Sequence, residues 1–432
     1  MSPKKMRKES NNFPPNYRWN FIAILVDSSC FGIAFAFFDP NSVLPAFVRE
    51  FTSSSLVVGL IGTVFNGFWL LPQLVTARLI VDKPRKKPYM ILGTWGRALF
   101  WVIALALWTG LGNYPLAMLI LFFSILALFA VSDSVTAVSW FDIMAKSIPM
   151  KQRGRLLGMS QLISGVAGLG VGAIVASILS SPRLPFPSNY ALIFALASTI
   201  FVPAVIALRL VREPLAVTPS NKVEKSQKDG LLTPLRENPI FRRWTIARLL
   251  VGMVGLATPF FVGHAIDVLS LPASIVGSFV AAQTLAKALG GLVFGFISDR
   301  WGPRFVIRLG GIAAMGAPLF AMIVHFSGSE WLVSVYPFVY VMMGFMQSSW
   351  VLGFFNYLLE IAPEDRRPMY VGLSNTVMGV MTLVPTLGGW LLASTSYGVL
   401  FGTTVAFVLA GVLISLTLKP SEMVAMEKQL QN

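Results

Sequence analysis

The stretch Gly295-Phe296-Ile297-Ser298-Asp299-Arg300-Trp301-Gly302-Pro303-Arg304 lies at the junction of two long apolar segments, residues 273–298 and 304–326. Glycine and proline beside charged residues are typical of a tight turn and not of a helix interior. Each flanking segment is long enough to cross a hydrocarbon core of roughly 30 Å as a helix. The stretch therefore predicts a charged turn at a membrane surface between two spanning helices.

The whole chain has the composition of a membrane protein. Of its 432 residues, 55% are hydrophobic and 12% are charged, and the mean hydropathy is +0.71. Because lipid offers backbone polar groups no hydrogen-bond partner, the apolar segments are predicted to be helices. The predicted spans are residues 19–48, 55–80, 88–110, 115–146, 154–180, 190–211, 242–268, 273–298, 304–326, 331–361, 369–394 and 397–418.

The net charge of +15 follows from membrane topology. With the N-terminus placed in the cytoplasm, all but five of the 34 Lys and Arg fall in the terminal tails, cytoplasmic loops or adjoining helix ends, which is the positive-inside pattern. The basic residues are divided among many short loops, so no nucleic-acid partner is expected. A bacterial inner membrane and a monomer with both termini in the cytoplasm are expected. The five exceptions are Arg49, Arg97, Arg183, Arg248 and Lys287.

Several classes of chemistry are not indicated by the sequence. Cys30 is the single cysteine, which excludes a disulfide framework and a cysteine-based metal site. The chain has no G-x-x-x-x-G-K-[ST] loop for ATP, and no arrangement of catalytic residues is recognisable. Neither an enzymatic activity nor a cofactor or metal is expected.

The chain reads as two related halves. Arg18-Trp19 before the first span matches Arg243-Trp244 before the seventh, and residues 147–153 after the fourth span match residues 361–367 after the tenth. Transporter folds are often built from such repeats, with the binding site between them. The predicted organisation is a basic cytoplasmic tail (1–18), an N-terminal six-helix bundle (19–212), a cytoplasmic linker (213–241), a C-terminal six-helix bundle (242–418) and a cytoplasmic tail (419–432).

The stretch at residues 295–304 resembles the G-x-x-x-D-R-x-G-R-[RK] loop of the major facilitator superfamily, in the position of that family's second copy. A weaker first copy, residues 78–87, keeps Asp82 and the basic run but has Arg78 and Arg85 at the two glycine positions. The resemblance implies an all-α membrane protein of twelve transmembrane helices in two pseudo-symmetric six-helix bundles. It also implies a secondary transporter that works by alternating access. The Gly-Pro pair of drug–proton antiporters is missing from the fifth span.

The charged turns predict a cytoplasmic gate. A glycine permits close helix approach, Asp299 can accept hydrogen bonds from a helix N-terminus, and Arg300 can pair with the acidic helix end at Glu360. The alternative is that these charges only anchor helix ends in lipid headgroups. The candidate gate residues are Asp82, Asp142, Gly295, Asp299, Arg300, Gly302, Arg304 and Glu360.

Charges inside the membrane point to the site of function, because a charge at the bilayer centre costs at least about 2.5 kcal/mol. Lys287, in the middle of the eighth span, would bind an anionic group or alternate between substrate and an acidic partner; the alternative is a permanent pair with an aspartate. Asp133 in the fourth span is its expected partner, or a proton carrier. Asp27 is deep enough in the first span to need a partner, and Asp39 precedes a proline break.

Other intramembrane polar residues complete the candidate site. His264 and Asp267 share one helix face and could form a proton-coupling pair, the alternative being a hydrogen-bonded histidine near the outer surface. Arg97 is expected to be structurally paired, with Asp27 or Asp142. The candidate substrate-binding or coupling residues are Lys287, Asp133, Asp27, Asp39, His264, Asp267, Gln73 and Gln283.

The sequence favours a transporter but leaves its cargo open. Proton-coupled uptake of a small polar or anionic compound fits Lys287. Proton-coupled efflux of lipophilic drugs is the alternative, since intramembrane aspartates beside aromatic residues suit cations. A non-transporting receptor or scaffold of the same fold is a remote third. The expected partners are a small-molecule substrate, protons and the lipid bilayer.

Overall fold

The computed structural model describes residues 14–80, 83–214, 233–363 and 366–420. Within these ranges the regular elements are helices, and twelve are long and apolar enough to cross a membrane. They are labelled in chain order, α1 to α12: Tyr17–Phe37, Ser55–Ala77, Lys87–Trp108, Pro115–Ser147, Gln152–Ser180, Ser188–Leu210, Pro239–Val268, Ile275–Trp301, Pro303–Ser327, Phe338–Ile361, Met369–Ser394 and Tyr397–Leu416.

The first predicted span, residues 19–48, is wrong as a single helix. Helix α1 ends at Phe37, and a separate short helix, Val43–Arg49, follows it. Pro40 cannot donate a backbone hydrogen bond, and the Asp39 carboxylate accepts from the backbone N–H of Asn41 at 2.8 Å. This local hydrogen bond competes with helix continuation, so the chain turns.

Two further boundaries differ from prediction. Residues 331–361 divide into a short helix, Glu330–Ser334, and α10, because Pro337 interrupts them. Helix α7 begins at Pro239, where Asn238 caps it by accepting from two backbone N–H groups, inside the predicted linker 213–241. Most of that linker and of both predicted tails lies outside the described residues.

The same helix pairings recur in both halves. Helix α1 packs on α5 and α6, α2 on α4, and α3 on α4 and α6; correspondingly α7 packs on α11 and α12, α8 on α10, and α9 on α10 and α12. Large apolar side chains on the outer faces are exposed, as expected for contact with lipid. The predicted class, twelve transmembrane helices in two pseudo-symmetric bundles, is confirmed.

Among the described residues, the two halves share a hydrophobic core at one end only. We call the end where α1 begins and α12 ends the terminal end, and the opposite end the far end. At the far end one buried core contains Phe47 and Phe194 of the first half together with Phe261 and Tyr340 of the second. At the terminal end each half has its own separate core. The described bundle is therefore closed at the far end and divided at the terminal end.

Small residues allow the halves to touch. A Cβ atom added to Gly172 of α5 would clash with the carbonyl oxygen of Gly277 in α8, and one added to Gly277 would clash with the carbonyl oxygen of Gly172. Such close backbone approach between helices requires small residues. Towards the terminal end, Gly154 and Gly158 of α5 would meet nothing within 4 Å. The α5–α8 contact thus ends before the terminal end is reached.

Gly172→Val is expected to destabilise the protein, because the added side chain has to push two backbones apart. Overpacking of this kind typically costs about 1–3 kcal/mol, and the melting temperature of the purified protein measures it. The matched control is Gly170→Val in the same helix, where an added Cβ meets nothing within 4 Å. Equal melting temperatures for the two variants would contradict the described contact.

Candidate substrate cavity and buried charges

A cavity of about 300 Å³ lies between the two halves, near the middle of the helices. Its walls come from α1 and the turn after it, α5, α8 and α10. Such a place, at the interface of two repeats, is where transporters of repeated architecture bind substrate. The lining residues with polar side chains are Ser28, Asp39, Ser160, Gln161, Ser164, Gln283, Thr284, Lys287 and Gln347.

Asp39 lines the cavity and accepts hydrogen bonds from residues of both halves. Its carboxylate accepts hydrogen bonds from the backbone of Asn41 (2.8 Å) and the Ser42 hydroxyl (3.0 Å). It also accepts from Nε2 of Gln283, across the interface, at 2.7 Å. Asp39 and Gln283 are each 5% exposed. Two of the predicted site residues, from opposite halves, are therefore in direct contact.

Lys287 extends from α8 one helical turn after Gln283. Its side chain is exposed because it opens on to the cavity. It forms no ion pair or hydrogen bond with any residue in the described ranges, and the acidic group that acts on it electrostatically is Asp39. The predicted partnership with Asp133 is wrong. The ammonium group is left available to a ligand in the cavity.

Asp133 belongs instead to a buried charge cluster in the first half. The Arg97 guanidinium is 2.8 Å from Asp27 and 3.9 Å from Asp133. Trp140 donates to Asp27 at 2.9 Å, and Trp69 donates to Asp133 at 3.1 Å. Arg97 is 4% exposed. The expected pairing of Arg97 with Asp27 is present, and a second carboxylate joins it.

This charge cluster satisfies most of its buried polar groups, which would be costly alone. A buried ion pair is most stable when its remaining lone pairs and protons are hydrogen-bonded. The two indole N–H groups donate to the carboxylates, whereas Nε of Arg97 is buried without a hydrogen-bond partner. One guanidinium facing two carboxylates leaves a single negative charge when both acids are ionised. Neither Asp27 nor Asp133 lines the central cavity.

His264 and Asp267 have separate partners and do not form the proton-coupling pair that their spacing allowed. They lie in a π-helical stretch, His264–Val268, at the far end of α7. Nε2 of the buried His264 is 3.1 Å from Nδ1 of His325, whereas Asp267 forms an ion pair with Arg49 of the first half. His264 is thus part of a far-end network within the second half, and Asp267 is part of the contact between halves.

Tyr336 fixes the proton arrangement of His264. Burial, with a smaller contribution from Tyr397, raises the pKa of Tyr336 well above its usual value, so the hydroxyl keeps its proton. That hydroxyl donates to the carbonyl of Phe261 at 3.2 Å, and it therefore accepts from Nδ1 of His264 at 3.0 Å. A neutral His264 then accepts from His325. This is the arrangement of a hydrogen-bonded structural histidine, the alternative that the sequence left open.

Gln73 and Gln283 are the predicted pair of cavity amides, but they occupy different environments. Gln283 lines the cavity, whereas Gln73 is absent from its walls. Nε2 of Gln73 and Oε1 of Gln283 are buried without a hydrogen-bond partner. The cavity is therefore lined asymmetrically by the two halves, and Gln161 and Gln347 contribute the other amides.

The turn between α8 and α9 forms a second cavity, of about 490 Å³, at the terminal end. Its walls bring together Asp299, Arg300, Arg304 and Glu360, the charged gate residues predicted for the second half. Asp299 and Arg300 are exposed, and the Arg300 guanidinium lies 5.7 Å from the ring centroid of Trp301. Their role as a gate stays a prediction.

The remaining predicted gate residues are two glycines and two aspartates. Gly302 lines the same cavity and adopts φ +85°, a conformation that favours glycine, at the end of α8. Gly295 makes no close approach, because a Cβ there would meet nothing within 4 Å. In the first half Asp142 pairs with Lys86 (3.0 Å) and Lys146 (2.6 Å). Asp82 lies outside the described residues.

Sequence reasoning missed Arg49, His325 and Tyr336. A signal existed for Arg49, which is one of two basic residues placed outside the positive-inside pattern and outside the predicted spans. At that position its guanidinium forms an ion pair with Asp267 of the other half. No comparable signal existed for His325 or Tyr336, since their contacts join segments distant in sequence.

Comparison with known proteins agrees with this architecture. The chain is 24% identical over 297 residues to the cis,cis-muconate transport protein of Acinetobacter baylyi, covering 65% of this chain and 68% of that protein. A bacterial homologue of the human lysosomal transporter Spinster, solved in an inward-facing and unoccupied conformation, aligns with a TM-score of 0.68 and 14% identity over 95% of this chain and 98% of its own. The D-xylose–proton symporter aligns with a TM-score of 0.68 and 14% identity, over 94% and 98%.

At such low identity the solved structures show the fold alone. The family assignment comes from a match to the sequence profile of the Major Facilitator Superfamily over residues 26–384 and 260–430. That match spans most of the described helices and includes the charged turn at residues 295–304. The chain belongs to the Major Facilitator Superfamily, a family of membrane transporters.

Proposed function

We propose that the protein is a secondary transporter that takes up a small organic anion by alternating access, coupled to protons. The observation that carries this proposal is Lys287, an ammonium group that opens on to a cavity between the two halves without an ion-pair partner among the described residues. A cation held in such a place needs a functional reason, because an intramembrane charge is costly.

The chemistry of the cavity walls fits a carboxylate on an apolar body. Lys287 offers charge-assisted hydrogen bonds, which are stronger than neutral ones. Phe31 and Phe35 of α1 form an apolar wall, and Gln161 and Gln347 supply amides. The volume of about 300 Å³ lies at the small end of ligand pockets. The muconate transport protein of A. baylyi, whose name specifies an organic acid, supports the same class of substrate.

Alternating access is supported by the division between the halves. The halves are in contact at the far end and separate at the terminal end. An alternating-access cycle needs a state of this kind, open at one end only, and a second state open at the other end. We place the terminal end in the cytoplasm of a bacterial cell, with the chain in the inner membrane, because the basic loops lie at that end. On this topology the described state opens inward.

Efflux of lipophilic cations is the competing proposal, and the geometry offers it less support. Of the three aspartates that would suit a cation, Asp27 and Asp133 are held by Arg97. Asp39 remains, but it accepts three hydrogen bonds and lies near Lys287. A cation in this cavity would meet the ammonium group.

The test is ligand stabilisation of the purified protein. A ligand that binds only the folded state raises the melting temperature. We expect benzoate and cis,cis-muconate to raise it, and glucose and tetraphenylphosphonium to leave it unchanged. Stabilisation by tetraphenylphosphonium alone would support the efflux proposal, and stabilisation by neither acid would overturn the anion proposal.

A further inference from the structure

The central cavity is electrically balanced when it is empty. Among the described residues that line it, Lys287 is the basic one and Asp39 is the acidic one, and the remaining side chains are uncharged. A carboxylate ligand bound to Lys287 adds a negative charge that has no second cation to face. Two like charges in a site of low dielectric cannot both remain ionised without a large cost. Binding of the anion therefore favours uptake of one proton nearby.

The amide oxygen of Gln283 is an acceptor that such a proton could satisfy. Its Nε2 donates to Oδ2 of Asp39 at 2.7 Å, which fixes the orientation of the amide group. Its Oε1, on the same amide, is buried and has no hydrogen-bond partner. An unsatisfied buried acceptor is unfavourable by roughly 1–3 kcal/mol. A protonated Asp39 carboxyl beside it would supply the missing donor.

We propose that Asp39 is the coupling carboxyl of the anion carrier: it takes one proton from solution as the substrate carboxylate binds Lys287, and the O–H donates to Oε1 of Gln283. The empty site then holds an ammonium and a carboxylate, and the loaded site holds an ammonium, the substrate carboxylate and a neutral carboxyl. Both forms have no net charge. This inference rests on the proposed function and adds to it the coupling residue and a ratio of one proton per monocarboxylate anion.

The groups around Asp39 are consistent with this role. Lys287 of α8 is the cation that faces it, and the Tyr340 phenol of α10 is the other titratable neighbour. Tyr340 donates to the backbone oxygen of Asn41 at 3.2 Å. Helix α5 contributes uncharged Ser160, Gln161 and Ser164 to the same cavity. Asp27 and Asp133 are separate from it, because Arg97 holds them.

The experiment counts protons taken up when an acid binds. Calorimetric titration of the full-length protein with benzoate, and in parallel with cis,cis-muconate, is run in buffers of different ionisation enthalpy. The wild type is expected to take up one proton per benzoate, and its dissociation constant is expected to rise about tenfold per pH unit where the empty site is ionised. Asp39→Asn is expected to bind benzoate without proton uptake and without this pH dependence.

Matched variants separate the possible outcomes. Asp133→Asn is expected to keep the count at one, because its carboxylate lies outside the cavity. Benzoate binding without proton uptake in the wild type, or a count of one in Asp39→Asn, would overturn the assignment of Asp39. Binding of neither acid would overturn the proposed function, and the coupling role with it.

A spectroscopic readout covers the case in which Asp39→Asn does not fold. Infrared difference spectra of the wild type should show a protonated-carboxyl band that appears when benzoate binds. The band should persist in Asp27→Asn and in Asp133→Asn. Loss of the band in either of these variants would assign the proton to the Arg97 cluster instead of Asp39.

Discussion

Lys287→Gln is expected to abolish accumulation of an organic anion by proteoliposomes that contain the protein. The substitution keeps a polar side chain of similar reach but removes the one cationic group among the described residues that line the cavity. A hydrogen bond to a charged group contributes about 1.5–3 kcal/mol, so the affinity for benzoate should fall roughly 10- to 100-fold. The measurement is uptake of labelled benzoate driven by a proton gradient.

Two controls make this result specific. Lys287→Arg keeps the positive charge and is expected to retain measurable benzoate binding, although the bulkier guanidinium changes the geometry. Thr284→Val, one turn earlier on the same wall of the cavity, removes a hydroxyl that donates to the carbonyl of Val280 and should leave most of the uptake. Undiminished uptake by Lys287→Gln would show that Lys287 has no part in binding.

Arg97→Gln is expected to reduce folded protein more than any other single change considered. It leaves the carboxylates of Asp27 and Asp133 buried near each other without their guanidinium. Breaking a buried ion pair by removing one partner costs about 3–5 kcal/mol. The yield of monodisperse protein after purification and its melting temperature measure the loss.

The double variant Asp27→Asn/Arg97→Gln tests the electrostatic origin of that loss. Removing one carboxylate relieves the uncompensated charge, so stability should recover in part; no recovery would mean that lost packing, not charge, causes the defect. Arg248→Gln in the second half is the matched contrast, because Arg248 contacts the Ser374 hydroxyl and forms no ion pair with any residue described. Its removal is expected to be mild.

The fold was largely predictable because lipid imposes a simple rule. Apolar segments of sufficient length become helices, and the charged turn at residues 295–304 marks where two of them meet. The boundaries that were wrong involve local competition: Asp39 hydrogen-bonds the backbone after α1, and Pro337 separates a short helix from α10. Length and hydropathy carry no information about such side-chain hydrogen bonds.

The sequence was enough to predict which charged residues are candidates for the site, but not which residues they pair with. Burial cost alone identified Lys287, Asp133, Asp27 and Asp39, since each is a charge within the membrane region. Which charge faces which depends on how helices pack, and that is set by small-residue contacts such as Gly172 against Gly277. Sequence spacing relates residues on one helix only. Lys287 was therefore assigned to Asp133, whereas it faces Asp39.

The segment from Asp39 to Arg49 belongs covalently to the first half but is fastened to the second at three places. Asp39 meets Gln283, the backbone of Asn41 meets Tyr340, and Arg49 meets Asp267. In the proposed alternating-access cycle, all three contacts have to break before the far end opens. Weakening the ion pair between Arg49 and Asp267 is then expected to speed that opening, and neither residue lines the central cavity.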